Sequence, residues 1–599
     1  MSLTAGGSFN DKVSFIWSVA DLLRGDYRQS EYGRVILPLT VIRRLDSVLA
    51  DTKDAVIKRA EEVAGRIADP TEALAAVAGR EFYNTSPMTF AGLVADPGSI
   101  AMNLRVYLQA FSPSAREVVE KFRFDEQITR LDDAGLLYKV VGKFADLDLH
   151  PDRVDNHEMG SIYEELIRKF SEQSNETAGE HFTPREVIRL MVDLLFIEDD
   201  RALRGDKAVR TLFDPACGTG GMLAVATERL AEMNPQAHLE VYGQELNDES
   251  FAMCRSDLML KGQRSSNVQA GNSFSNDHFV GKRFDYLLAN PPFGVDWKKV
   301  KEKVTDEHTK LGFGGRFGAG LPRINDGSLL FIQHMISKMK PVSEGGSRLA
   351  IVFNGSPLFT GAAGSGESEI RRWIIENDWL EAVVALPDQL FYNTGISTYF
   401  WIVSNRKRPE RRGKVQLVDA RASWEKMPKS LGDKRKRISD DQIAAIVRLY
   451  GDFEEGERVK ILPNESFGFQ RITVERPLVE NGAVVTDKKG NPKPDPSLRD
   501  QENVPLPGGT PEWDEADEGA TKRLSDGDHR RVIADYVETE IHPWAPDAWV
   551  DHTKTKIGYE IPLTRHFYQY VPPRPLAEID AELKALEAEV QRLLAEVTE

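Results

Sequence analysis

Between residues 209 and 420 the chain alternates short runs of apolar and β-branched residues with helical spacers, and several runs stop at a polar residue. Thr211 to Phe213, Leu239 to Tyr242, Tyr286 to Ala289, Leu349 to Phe353 and Leu380 to Leu386 are such runs, and Thr398 to Val403 and Val415 to Val418 follow. This alternation is the mark of an α/β fold around a parallel sheet. The first run ends at Asp214 and opens into Pro215, Ala216, Cys217, Gly218, Thr219, Gly220 and Gly221, with a helix expected from about Met222. Glycines there allow a tight turn and close backbone approach, at the sheet edge where such folds bind ligands. A dinucleotide fingerprint needs a third glycine where Leu223 stands, and no Walker A loop occurs anywhere in the chain.

The next run ends at Glu245, where a carboxylate can accept two hydrogen bonds from a ribose diol. Gly271, Asn272, Ser273 and Phe274 form another polar turn at a strand end, placed to meet a base. The fourth run leads directly into Asn290, Pro291, Pro292 and Phe293. Two prolines fix φ and remove two backbone donors. The Asn290 side chain and nearby carbonyls then stand as acceptors beside an aromatic face, which suits the exocyclic amine of a flat base.

Helical periodicity fills residues 11 to about 150, as in Phe15, Ile16, Val19, Leu22 and Leu23. The expected organisation is a helical N-terminal domain over 1–155, a catalytic domain over 156–425, an irregular region with an acidic linker over 426–570, and a coiled-coil-like helix over 574–599. In that last helix Leu576, Ile579, Leu583, Leu586, Val590, Leu593 and Val597 form a seam of alternating three- and four-residue steps.

The formal charge of −17 argues against nonspecific coating of nucleic acid. Two stretches run the other way: Lys298, Lys299, Lys301 and Lys303, and the segment from Arg406 to Arg437, with 13 basic against 4 acidic residues. Either can meet phosphate. Two cysteines, Cys217 and Cys254, exclude a disulfide framework and a Cys-rich zinc module, and the histidines are scattered, so no metal is expected. With no apolar run long enough to span a membrane and no signal-peptide pattern at Met1 to Asn10, a cytoplasmic protein is expected.

The set Asp214 to Gly221 followed by Asn290 to Phe293 resembles the S-adenosylmethionine-dependent amino-methyltransferases of DNA, and Asn-Pro-Pro-Phe looks like the N6-adenine class. Gly179, Glu180, His181, Phe182, Thr183, Pro184 and Arg185 resemble that family's other cofactor motif, with Glu180-His181 in place of Gln-Phe or Gln-Tyr. Its position before the glycine turn is similar to the gamma arrangement. Ala20 to Gly25 and Leu37 to Asp46 resemble the modification subunit of type I restriction-modification systems. The likeness covers about residues 10 to 420 and the C-terminal helix.

The resemblance implies a class I S-adenosylmethionine-dependent methyltransferase core, Rossmann-like, with a helical N-terminal domain and a C-terminal helix. It implies that Glu180, His181, Phe182, Thr183, Pro184, Arg185, Thr219, Gly220, Gly221 and Glu245 bind S-adenosylmethionine. Asp214 and Gly218 shape the pocket and Asn272 is placed towards the cofactor's base. Asn290, Pro291, Pro292 and Phe293 hold the target adenine, flipped from duplex DNA. A DNA-specificity subunit and a restriction (helicase-nuclease) subunit are the implied partners. Two other readings stay open: N5 methylation of protein glutamine, and a non-catalytic scaffold with the same fold. Neither Cys217, in the glycine turn, nor Cys254, in a probable helix, is well placed as a cytosine-C5 nucleophile.

Overall fold

The structure is a computed structural model that describes residues 9–174, 183–199, 203–205, 208–261, 263–392, 394–509, 526–568 and 574–598. Glu180, His181 and Phe182 lie outside the described residues. The chain forms two compact units, 1–561 and 562–599.

The first unit is built on a sheet of nine strands among the described residues. They are β1 (Val209–Asp214), β2 (His238–Glu245), β3 (Val268–Ala270), β4 (Tyr286–Ala289), β5 (Arg348–Phe353), β6 (Leu380–Ala385), β7 (Tyr399–Ser404), β8 (Lys414–Asp419) and β11 (Val459–Pro463). The hairpin β9 (Glu425–Leu431) and β10 (Lys434–Arg437) stands apart from it. The order is β11-β8-β6-β7-β5-β4-β1-β2-β3. Chain progress reverses between β1 and β4, which pair in parallel with Phe213 opposite Leu287. In such sheets the crevice at the reversal is where ligands bind. The sheet is mixed: β7 enters antiparallel between β5 and β6, and β11 pairs antiparallel with β8. The central strands are buried on both faces, which explains their unbroken apolar runs.

The helix Asp248–Leu260 serves two cores. Phe251, Cys254 and Leu258 pack towards the sheet, while Ala252, Met253 and Met259 join the core of the N-terminal helices. A helix apolar on two faces has no solvent side to reveal by periodicity. Helix Asn156–Ser174 contributes Met159, Ile162, Leu166 and Phe170 to that N-terminal core, not to the core of the sheet.

Beyond residue 425 the chain is more ordered than its Pro, Gly and acidic content suggests. The main sheet continues to β11, after helix Asp440–Asp452. A second, antiparallel sheet joins β12 (Gly468–Glu475) to β15 (Asp500–Pro505), β16 (Trp549–Val550) and β17 (Lys556–Tyr559), with Ile472, Val474, Val504 and Ile533 in its core. Within the expected linker, β13 (Val479–Glu480) and β14 (Ala483–Val484) form a small exposed hairpin. Arg371 clips this region to the first sheet's helices, donating to the Tyr559 carbonyl at 2.6 Å.

The second unit contains helix Leu576–Thr598. Within that unit the seam Leu576, Ile579, Leu583, Leu586, Val590 and Leu593 is exposed. No helix among the described residues is long and apolar enough to cross a membrane.

Candidate active site

The glycine turn works first on its own geometry. Gly218 and Gly220 have φ of 53° and 88°, which L side chains rarely adopt. The Gly218 amide donates to Glu245 Oε2 at 2.8 Å, and the Asn247 amide donates to Oε1 at 2.7 Å, so the β2 carboxylate and the β1 turn form one assembly. Gly220 also meets a packing demand: a Cβ there would meet Cys254 Sγ at 2.8 Å, so a side chain would press on the helix Asp248–Leu260. Cys217 and Cys254 are free, buried, and 3.9 Å apart at sulfur, where they fill space behind the turn.

Asp214 is buried at the end of β1 and accepts the Ala216 amide at 2.9 Å. Burial pushes its carboxyl up to about 8; the Ala216 bond opposes this and the Glu245 carboxylate adds to it. The folded chain therefore holds a proton that an ordinary carboxyl, with a pKa near 4, releases on unfolding. The stability this contributes is full below about pH 4 and is lost as pH rises through about 8. Asp214→Asn is expected to flatten that fall. Melting temperatures compared at about pH 6 and 9 should drop less in the variant than in wild type, and equal drops would show that Asp214 ionises freely in the fold.

A cavity of about 560 Å³ opens at the strand ends, within the usual range for a ligand pocket. Glu245, Leu246, Asn272, Ser273, Asn290 and Pro292 line it, together with Pro215 and Ala216 of the turn. Leu246 is 66% exposed, an apolar shelf beside the carboxylate. Asn272 caps its own loop, its Oδ1 accepting the amides of Phe274 and Ser275 at 2.9 and 3.1 Å. The Ser273 hydroxyl donates to the Pro215 carbonyl at 2.6 Å, tying this loop to the glycine turn.

Asn290 follows β4 directly. Its Nδ2 donates to Thr183 Oγ1 at 2.8 Å, which joins two motifs 107 residues apart. Its Oδ1 is buried and has no hydrogen-bond partner. A buried acceptor left open costs roughly 1–3 kcal/mol, so its presence at a cavity is a pointer to a donor that arrives from outside. Phe293 is half-buried and meets Phe391 edge-on at 6.3 Å, packed against the core of the sheet.

The structure thus brings Asn290, Pro292, Glu245 and Asn272 to one cavity. Thr219, Gly220 and Gly221 do not line it; they shape the turn and start helix Gly221–Met233. Pro184 caps helix Arg185–Phe196, and Arg185 pairs with Glu228 at 2.5 Å, away from the Glu245 cavity.

Two further features escape local sequence signals. Arg316 donates to the carbonyls of Ser273 and Phe274 at 2.7 Å each while paired with Glu307, and so fixes the β3 loop from more than 40 residues away. Part of the basic stretch from Arg406 is paired with acids remote in sequence. Arg406 meets Asp199, Lys407 meets Asp378, Arg408 meets Glu198, Lys434 meets Glu186 and Lys436 meets Asp388. Arg412, Lys414, Lys426, Lys429 and Arg435 of the same stretch are exposed. The lysines at 298, 299, 301 and 303 are exposed.

The sequence profile of the N-6 DNA Methylase family matches residues 154–466, and that of the HsdM N-terminal domain matches residues 12–144. The chain is 26% identical over 500 residues to the type I restriction enzyme MjaIX methylase subunit of Methanocaldococcus jannaschii, covering 79% of this chain and 82% of that one. It is 29% identical over 266 residues to the type I restriction enzyme HindI methylase subunit of Haemophilus influenzae, covering 44% of this chain and 54% of that one. Among solved structures, the fold is similar to a type I restriction-modification system methyltransferase subunit from Streptococcus thermophilus. The TM-score is 0.60 at 22% identity, over 77% of this chain and 97% of that one. A modification subunit of a putative type I restriction enzyme from Vibrio vulnificus gives a TM-score of 0.51 at 16% identity, over 81% and 96%.

Proposed function

The chain belongs to the N-6 DNA methylase family, and we propose that, as the modification subunit of a type I restriction-modification system, it transfers the methyl group of S-adenosylmethionine to N6 of adenine in duplex DNA. The observation that carries the assignment of residues is the open, buried Asn290 Oδ1 at the cavity shared with Glu245.

The donor set suits the cofactor. Glu245 offers a carboxylate, the group type that accepts from ribose hydroxyls, at the cavity, and the Gly218 and Asn247 amides orient it. Leu246 offers apolar surface to a ring. When bound, S-adenosylmethionine supplies an already electrophilic sulfonium methyl.

The chain's own part is positioning and charge stabilisation. Thr183 accepts from Asn290 Nδ2 and so fixes the carboxamide, whose Oδ1 is left as an open acceptor. That oxygen takes an N–H of the target amine and stabilises the positive charge that develops on nitrogen as it attacks. Pro291 and Pro292 carry no backbone N–H, so the rim offers acceptors to the amine. Phe293 presents the stacking face for a base taken out of the helix. The glutamine-methyltransferase and scaffold readings are not favoured, because the relatives are DNA methylase subunits and the Asn290 acceptor is intact. Tritiated S-adenosylmethionine tests the point: with the assembled complex, label should enter adenine-containing duplex. Label entering glutamine-containing peptide instead would refute the DNA reading.

Site recognition falls to a specificity subunit, and cleavage to a restriction subunit. The helix Leu576–Thr598 is the docking element for the former, since its narrow apolar seam is flanked by charge and needs one neighbour. Deleting residues 575–599 should leave the melting temperature and cofactor binding of the isolated chain unchanged, yet abolish co-purification with the specificity subunit. A truncated chain that melts far below wild type would place the seam in the protein's own core.

A further inference from the structure

The cavity at the strand ends has a second wall that does not come from the methyltransferase core. Lys121, Phe122, Arg123, Glu126 and Gln127, from the end of helix Pro113–Lys121 and the start of helix Phe124–Asp133, line it together with Glu245 and Asn272. Lys121 Nζ bridges to Asp248 Oδ1 at 2.7 Å, and Arg34 approaches Glu249 at 3.7 Å. These pairs hold the N-terminal helices against the first turn of the helix that follows β2.

Gln127 stands out on this wall. It is only 8% exposed, yet its Oε1 is buried without a hydrogen-bond partner. A buried carboxamide with an open acceptor is costly unless something else completes it. Its surroundings say what. The wall is pinned to Asp248, three residues past Glu245 on the β2 side, whereas Asn290 lies at the end of β4, across β1. Gln127 lines the same cavity as Glu245, Asn272 and Asn290, from the side of the N-terminal helices.

We propose that the N-terminal helical domain completes the cofactor cavity and that Gln127 recognises the adenine ring of S-adenosylmethionine, its Oε1 accepting from the 6-amino group. This rests on the cofactor reading above. A carboxamide matches adenine's neighbouring donor and ring-nitrogen acceptor, the pairing by which glutamine reads that base elsewhere. The domain that distinguishes this chain from a bare methyltransferase core then has a direct part in binding, and cofactor occupancy becomes linked to how that domain sits on the core.

The test is calorimetric titration of the full chain with S-adenosylmethionine and with its analogue lacking the 6-amino group. Wild type should bind the analogue on the order of tenfold more weakly, one hydrogen bond's worth. Gln127→Leu should bind S-adenosylmethionine weakly and lose the preference, so that the two ligands differ by less than about twofold. Wild-type binding with no preference, or a preference that survives in Gln127→Leu, overturns the inference and leaves the cofactor reading standing. Failure of wild type to bind S-adenosylmethionine at all overturns both. Should Gln127→Leu fail to fold, photo-crosslinking of wild type with 8-azido-S-adenosylmethionine decides: label on the peptide spanning residues 121–130 supports the wall, and label confined to residues 214–293 overturns it.

Discussion

Asn290→Ala is expected to slow methyl transfer by about 10²- to 10³-fold, the usual loss when one aligned group is removed from a developing charge. Binding of S-adenosylmethionine should stay within about twofold of wild type, because the glycine turn and Glu245 make their contacts without Asn290. Single-turnover rates on duplex, paired with calorimetry on the isolated chain, separate the two effects. Asn290→Asp is the informative companion. It keeps an acceptor at the same atom while losing the amide that binds Thr183, so it should retain more activity than the alanine variant. Transfer by Asn290→Ala within about tenfold of wild type, roughly 1.4 kcal/mol, would remove Asn290 from the chemistry.

Gly220→Val should damage both the fold and the cofactor site. A β-branched residue at φ of 88° costs about 1–3 kcal/mol, and its Cβ would stand 2.8 Å from Cys254 Sγ in a packed interior. Relief of that clash moves the turn, and with it the Gly218 amide that binds Glu245. A melting temperature several degrees below wild type and cofactor affinity weakened by more than about tenfold are the expected readings. The cause can be isolated: Gly220→Ala should be partly rescued by Cys254→Ala, which removes the nearest atom. Wild-type melting and affinity in Gly220→Val would mean that neither the backbone angle nor the contact matters.

The parts of the site legible in the sequence are those written locally. Asp214, Glu245 and Asn290 each end an apolar run, and a run buried on both faces is visible without any knowledge of its neighbours. That β4 lies beside β1, so that Asn290 and Glu245 share a cavity, is a matter of strand order, and the family resemblance rather than periodicity supplied it. The packing demand on Gly220 was not legible, because a glycine-rich turn looks the same whether the space is kept for a ligand or for a cysteine from a later helix. That some of the charge from Arg406 to Arg437 is engaged internally was not legible, because its acidic partners, Asp199, Glu186, Asp378 and Asp388, lie outside the stretch in sequence. Strands β12, β15 and β17 went unseen because their partners are separated by Pro- and Gly-rich segments, and the flanking strands β15 and β17 are short and carry exposed polar residues with little alternation. Nothing local marks Lys121 to Gln127 as cavity wall; only the packing of the N-terminal helices on Asp248–Leu260 brings them there.

On the proposed function, this chain methylates adenine at N6 through Asn290, at a site chosen by its partner. The most direct measurement is base-resolved mapping of modified nucleotides in a host free of adenine methylation, expressing the chain together with its specificity subunit. N6-methyladenine should appear at a single sequence motif throughout the genome, and vanish when Asn290→Ala replaces wild type. Unmodified adenine throughout, modification at cytosine C5, or methylation undiminished by Asn290→Ala would contradict it.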